Sequence, residues 1–101
     1  MSNESNEVLR VRKDTDVNRL CNSIIAVSEK FPNEPIIMRA IGAGAVNQAV
    51  KGAILSNSYF SKKGMSVLLV PSFKAVPNVG TSSSDKAEIS AIEFRVHLQR
   101  T

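Results

Sequence analysis

The spacing of apolar residues changes several times along this 101-residue chain, and each spacing predicts one secondary-structure element. Alternation from Val8 to Arg12 predicts a half-buried strand whose polar face is basic. Apolar residues from Val17 to Phe31 recur with the helical period, and Pro32 ends that helix. Three polar residues are candidates for its N-cap: Asp14, Thr15 and Asp16.

The central stretch from Ile36 to Phe60 carries a strand, a turn of small residues and a second helix. Ile36 to Ile41 is short and rich in β-branched side chains, which predicts a strand. Gly42 to Gly44 is the predicted turn, and the helical period of apolar residues begins at Val46. The uncovered N–H groups of the first helical turn, together with the helix dipole, suit an anion such as a phosphate.

The C-terminal half predicts two strands joined by an arm. Met65 to Val70 is apolar at nearly every position, which predicts a strand with little solvent on either face, and Pro71 is expected to end it. Lys74 to Ala87 is rich in turn formers and small polar residues and predicts a long, mobile hairpin arm. Glu88 to Leu98 alternates and predicts the last strand.

The resulting element order is β-α-β-α-β-β, which we interpret as an α/β two-layer sandwich. Right-handed crossovers place both helices on one face of a four-stranded mixed sheet. We expect one domain over residues 8–101, after a disordered polar tail over residues 1–7. Two interpretations of the open face of the sheet are possible. It is either an ordinary face, which is exposed to solvent or lies in a dimer interface, or a binding surface. Its charged residues are Arg10, Arg12, Arg39, Glu93, Arg95 and His97.

Composition narrows the class of protein. Thirteen Lys and Arg against nine Asp and Glu give a net charge of +4, a mild attraction for polyanions such as nucleic acid. The longest apolar runs, such as Val67 to Val70, are too short to cross a membrane, and the N-terminus lacks the apolar segment of a secretory signal. The single cysteine fits a reducing compartment. We therefore expect a cytoplasmic protein without a membrane partner.

The residues needed for catalysis do not come together in the sequence. No nucleophile with a base, carboxylate pair or metal cluster can be assembled, so we expect no enzymatic activity, no metal site and no cofactor. Gly42-Ala43-Gly44 lacks the third glycine of a dinucleotide fingerprint, because position 47 is Asn. A small anionic ligand at this helix start remains one alternative. Tyr59 and Phe60 are the only expected exposed aromatic candidates for stacking on a base.

The run from Ala40 to Lys51, AIGAGAVNQAVK, resembles the signature of the stage V sporulation protein S family. Val70 to Phe73 resembles the end of that family's third strand, and the resemblance extends from Val8 to Val96. The family is similar in fold to the Alba chromatin proteins and to the C-terminal domain of bacterial translation initiation factor three. The resemblance implies a small bacterial developmental or regulatory protein, a homodimer or tetramer, that binds nucleic acid through the Gly42 to Lys51 segment and the Lys74 to Ala87 arm.

Two functions from different classes follow. The first is a nucleic-acid-binding regulator, acting on DNA or RNA with little base specificity. Its candidate binding residues are Arg10, Arg12, Arg39, Gly42, Gly44, Asn47, Gln48, Lys51, Lys62, Lys63, Lys74 and Lys86. The alternative is a non-catalytic assembly module that self-associates through the Gly42 to Ala53 helix, whose small residues allow close helix approach.

Overall fold

The computed structural model describes residues 8–77 and 88–101, which form four strands and two helices. In chain order these are β1 (Val8–Val11), α1 (Val17–Lys30), β2 (Ile36–Ala40), α2 (Ala43–Ser61), β3 (Met65–Pro77) and β4 (Glu88–Arg100). The strands form one sheet in the order β1-β2-β4-β3. β1 is parallel to β2, and the other neighbours are antiparallel. The predicted β-α-β-α-β-β order and mixed sheet are confirmed.

Both helices pack on one face of the sheet, as predicted. On β2 the alternate residues Ile36, Met38 and Ala40 are buried, as expected for a strand with one face on a core. They belong to one apolar cluster with Ile24 of α1 and Ala49 of α2. A single alternate set of strand residues therefore contacts both helices, and the opposite face of the sheet is left open.

Asp16 is the N-cap of α1 among the three candidates. Its Oδ1 accepts hydrogen bonds from the backbone N–H of Asn18 at 2.8 Å and of Arg19 at 3.1 Å. Thr15 has a different role, because its Oγ1 accepts from the backbone N–H of Arg12 at 2.7 Å. The segment between β1 and α1 is thus held by side-chain hydrogen bonds at both of its ends.

Helix α2 starts at Ala43, three residues before the start predicted at Val46. The expected three-residue turn was wrong because Gly42 alone redirects the chain. Gly42 has φ 93° and ψ 157°, a backbone region that is essentially restricted to glycine. One such residue suffices, and the next two residues join the first helical turn.

Several small residues of α2 pack inside one protomer. A Cβ at Gly52 would lie 2.5 Å from Cδ2 of Leu20, and a Cβ at Gly44 would lie 2.8 Å from Cβ of Lys13. Glycine at these positions therefore lets α2 approach α1 and the segment after β1 closely. Because Gly52 is buried, as are Ala49 and Ala53, these residues are not available to a second copy of the helix.

Strand β3 differs from the prediction in length and in burial. It continues through Pro71 to Pro77, and Leu68 and Val70 are 43% and 50% exposed rather than shielded on both faces. Leu68 and Val70 lie on the open face, opposite His97 and Arg95 of β4, and β3 is also an edge strand that pairs only with β4. Proline is tolerated there, since one side of an edge strand carries no ladder hydrogen bonds.

The hairpin of β3 and β4 is regular as far as the structure describes it. Its antiparallel register runs from Met65, opposite Arg100, to Pro77, opposite Glu88. The start of the predicted mobile arm, residues 74–77, is therefore ordinary strand. The rest of the arm, including Lys86, and the predicted tail over residues 1–7 lie outside the described residues.

Candidate nucleic-acid interface

A row of polar residues crosses the open face of the sheet. The strand register places Arg10 beside Arg39, Arg39 beside Glu93, and Glu93 beside Ser72. Nη2 of Arg39 lies 2.7 Å from Oε2 of Glu93, and Nε of Arg39 lies 3.1 Å from the same oxygen. Glu93 therefore compensates one of the two arginines in the row.

Beyond this row, a concavity of about 880 Å³ lies where β1 and β2 end and α2 begins. Four cationic residues line it, and we call it the cationic concavity: Arg10, Arg12, Lys13 and Arg39. Three of them are exposed, and Arg39 is half-buried. Among the described residues, no acidic side chain lines this concavity. The carboxyl ends of adjacent parallel strands are a common place for ligands in α/β sheets.

The first turn of α2 forms one wall of the cationic concavity, which is lined by residues 42–45. Gly42 is the N-cap and has no side chain with which to cap the helix. The first N–H groups of any helix lack an intrahelical acceptor, and they carry the positive end of its dipole. The helix start therefore adds positive potential to the potential of the four cations.

Five of the residues predicted as nucleic-acid-binding meet in the cationic concavity: Arg10, Arg12, Arg39, Gly42 and Gly44. Lys74 lies nearby on the chain, exposed on the open face of β3, and is two residues before Val76, which lines the concavity. Residues two apart on a strand share a face. Lys74 therefore extends the same basic surface along β3.

Three predicted residues of α2 do not line the cationic concavity. Asn47 and Lys51 are exposed on the helix surface. Gln48 is half-buried, and its Nε2 donates to the backbone carbonyl of Thr15 at 2.7 Å. The Gln48 side chain thus fixes the segment between β1 and α1, a positioning role that its helical spacing alone did not predict.

Lys62 and Lys63 lie at the other end of α2. The helix has 19 residues and is therefore about 28 Å long, so these lysines cannot share one small site with the cationic concavity. Nζ of Lys63 lies 4.8 Å from the ring centroid of Tyr59. Hydrogen bonding to Tyr59 raises the pKa of Lys63.

Among the residues that line the cationic concavity and that sequence reasoning missed are Lys13, Ile41 and Val76. The run Arg10 to Lys13, with three cations in four positions, was the available signal for Lys13.

The prediction that Tyr59 and Phe60 are the exposed aromatic residues available for stacking on a base was wrong. Phe60 is buried in the core, Tyr59 is half-buried, and Phe73 is the aromatic residue that is 81% exposed.

A second exposed surface lies between α2 and β3, and we call it the α2–β3 edge. A groove of about 200 Å³ runs along it, with Val50 and Ile54 on the helix side and Val67 and Leu69 on the strand side. Ile54 is 59% exposed. Phe73 lies on the same face of β3 as Leu69, four residues further along. The α2–β3 edge thus exposes apolar side chains from both elements.

His97, the one histidine of the chain, lies half-buried on the open face opposite Leu68 and lines a separate pocket of about 190 Å³ beside Phe31 and Pro35. Within residues 8–77 and 88–101, no three His, Cys, Asp or Glu side chains are grouped so as to hold a metal ion. Neither helix in this part of the chain is long and apolar enough to cross a membrane.

Comparison with known proteins agrees with the resemblance stated above. The family model described as Stage V sporulation protein S (SpoVS) matches residues 7–99. The chain belongs to this family. This SpoVS-family protein is accordingly related to sporulation. Among solved structures, Alba from Thermoplasma volcanium is similar with a TM-score of 0.53 and 15% sequence identity, covering 93% of this chain and 100% of that one. At this identity the likeness shows the fold, which is Alba-like as predicted.

Proposed function

We propose that this SpoVS-family protein is a non-catalytic regulator in the cytoplasm that binds DNA or RNA as a homo-oligomer with little base specificity. The observation that carries the proposal is the cationic concavity. Arg10, Arg12 and Lys13 are exposed together there, and no acidic side chain among the described residues lines it. Such a cluster attracts a polyanion more strongly than the modest net charge of +4 suggests.

Phosphate contact is the chemistry that these residues share. Guanidinium and ammonium groups bind phosphate oxygens with charge-assisted hydrogen bonds, and phosphate contacts position a protein on nucleic acid without reading its sequence. Lys74 on the same face offers a further contact along β3. Binding that rests on several such contacts releases counterions, so its affinity falls steeply as salt rises.

The direct test measures binding of the purified protein to duplex DNA, single-stranded DNA and structured RNA by fluorescence anisotropy at two salt concentrations. Replacing Lys13 with Ala keeps the Cβ that packs against Gly44 and removes only the charge. We expect Lys13→Ala to weaken binding and to reduce the slope of log affinity against log salt by roughly 0.7–0.9. Lys30→Ala, at an exposed lysine in the last turn of α1 that is not among the candidate binding residues, is the matched control.

The outcomes separate the two functional classes. Salt-dependent binding that Lys13→Ala weakens and Lys30→Ala does not would support the proposal. If both substitutions weakened binding equally, binding would depend on the overall charge of the protein rather than on the cationic concavity. No binding to any of the three nucleic acids would favour the alternative function, an assembly module whose basic face contacts protein.

The α2–β3 edge supports the oligomeric part of the proposal. Ile54 and Phe73 are large apolar side chains that are mostly exposed in the single chain. Exposed apolar side chains that share one surface are typical of interfaces between protein chains. This edge also replaces the buried small residues of α2 as the surface for self-association. We expect two copies to meet there.

Mass in solution, measured by light scattering after gel filtration, tests this interface. Replacing both Ile54 and Phe73 with Ser should convert the oligomer into a smaller species, because apolar burial drives such contacts. Leu68→Ser changes an apolar residue on the other face of the same strand and serves as the control. An unchanged mass for the double variant, or a monomeric protein before any substitution, would contradict the proposed interface.

A further inference from the structure

The cationic concavity contains an apolar wall that phosphate contact does not explain. Ile41 is 49% exposed and lines the concavity together with Val76 and Pro77. Ile41 directly follows β2, and Val76 is carried there by the extension of β3 beyond Pro71. Cations facing a nucleic-acid backbone need no apolar neighbour. A ligand that presents an apolar surface beside its negative charge uses both kinds of side chain.

We propose that the cationic concavity takes a single nucleoside phosphate unit, with its phosphate beside Arg12 and Lys13 and its base against Ile41 and Val76. The inference rests on the proposed function for the class of ligand, and it adds a discrete subsite for one unpaired nucleotide to general phosphate contact. The chain itself would then distinguish an unpaired nucleotide from one inside a duplex.

Size and accessibility favour this unit. The volume of about 880 Å³ lies within the range of roughly 300–1,000 Å³ typical of small-molecule sites. A base inside a duplex is stacked on both faces and presents only its edges in the grooves. A base can pack on the exposed side chain of Ile41 only if one face of that base is free. An unpaired or free nucleotide satisfies that requirement, and a paired one does not.

Two sources present the same chemistry. One is an unpaired nucleotide at the end of a longer strand, and the other is a free mononucleotide. A pair of measurements distinguishes them. Anisotropy compares a short blunt-ended duplex with the same duplex carrying one unpaired 3′ adenosine, and calorimetry measures binding of free adenosine monophosphate.

For the strand-end source we expect the unpaired adenosine to tighten binding by about tenfold, the order expected for burying one base against an aliphatic side chain. Ile41→Ser should remove most of this gain. Ile41 is half exposed, so the variant should fold, which circular dichroism checks, and Val76→Ser provides a second variant. Leu68→Ser, of similar exposure but outside the concavity, should keep the gain.

Each outcome bears on the inference separately from the proposed function. A gain that depends on Ile41, with no binding of adenosine monophosphate, supports the subsite at a strand end. Binding of adenosine monophosphate that Ile41→Ser weakens supports the subsite for a free nucleotide, even if the nucleic acids themselves fail to bind. Salt-dependent duplex binding with no gain from the unpaired adenosine and no binding of adenosine monophosphate overturns the subsite and leaves the proposed function standing. Binding of none of these probes overturns both.

Discussion

Arg39 and Glu93 face each other across β2 and β4, and two donors of the guanidinium share one carboxylate oxygen, Oε2, at 2.7 and 3.1 Å. The two side chains are 21% and 18% exposed. Within the described residues, Arg39 is the one cation of the concavity with an ion-pair partner. Glu93 thus lowers the positive charge at the cationic concavity and holds Arg39 within the sheet surface.

Removing the charge of Glu93 should strengthen nucleic-acid binding. In Glu93→Gln the side-chain shape is kept, and Arg39 is left without a counter-charge, so it becomes available to a phosphate. We expect affinity at low salt to rise by about two- to fivefold, the value of one partly exposed ion pair. Fluorescence anisotropy over a salt series measures both the gain and the steeper salt dependence that accompanies an added contact.

Glu34→Gln is the matched control for this variant. Glu34 is exposed between α1 and β2, at the end of β2 opposite the cationic concavity. Glu34→Gln changes the net charge of the protein by the same amount as Glu93→Gln. Equal gains in the two variants would mean that only the overall charge matters, and an unchanged affinity in Glu93→Gln would show that Arg39 is not a phosphate ligand.

Gly52 sets the distance between the two helices. A Cβ there would lie 2.5 Å from Cδ2 and 2.8 Å from Cγ of Leu20, so Gly52→Ala overpacks the core. We expect the free energy of unfolding to fall by about 1–3 kcal/mol, even though alanine is the better helix former. Urea denaturation measures this change.

A double-mutant cycle assigns the effect to Leu20. Leu20→Ala alone should destabilise the protein by about 2–5 kcal/mol, because it leaves a cavity. In that background Cγ and Cδ2 of Leu20 are absent, and only the Cβ at position 20 remains, 3.3 Å from the added methyl group, so Gly52→Ala should cost far less than in the wild type. An undiminished cost in the double variant would place the strain elsewhere in α2.

Periodicity predicts elements with one buried face well. The bounds of β1, α1 and β2 agree with the structure to within one residue, because each buries a single stripe or alternate set. Strand β3 shows the limit of this reasoning. Its apolar run from Met65 to Val70 has the composition of a central strand, and only the strand order places β4 in the middle and β3 at the edge.

The candidate site could be predicted where it depends on strand alternation, but not where it depends on contacts between distant segments. Arg10, Arg12 and Arg39 were assigned to one surface from strand alternation. Ile41 and Val76 were not found, because their proximity depends on how far β3 extends beyond Pro71 and where α2 begins. Such contacts between distant segments leave no local pattern in the sequence. The same holds for Gln48, whose partner Thr15 is 33 residues away.

Cys21 should react slowly with thiol reagents in the folded protein. Burial on α1 raises the pKa of its thiol, and the thiolate is the reactive species. A raised pKa means a smaller thiolate fraction at any pH below it. We expect the midpoint of the rate against pH, followed with a chromogenic disulfide, to lie higher in the folded protein than in urea. Equal midpoints in both states would contradict this, whereas a uniformly slower rate would indicate only steric protection.

Gly42 connects the stability of the fold to the candidate site. A Cβ at this position meets no atom within 4 Å, so Gly42→Ala introduces backbone strain without a clash. Because φ is 93°, we expect the free energy of unfolding to fall by about 1–3 kcal/mol in urea denaturation. Relief of the strain would shift the start of α2, which lines the cationic concavity, and would therefore also weaken nucleic-acid binding by the folded variant. Ser58→Ala, at an exposed position near the other end of α2, should change both quantities far less. Wild-type stability in Gly42→Ala would show that the chain turns into α2 without a positive φ.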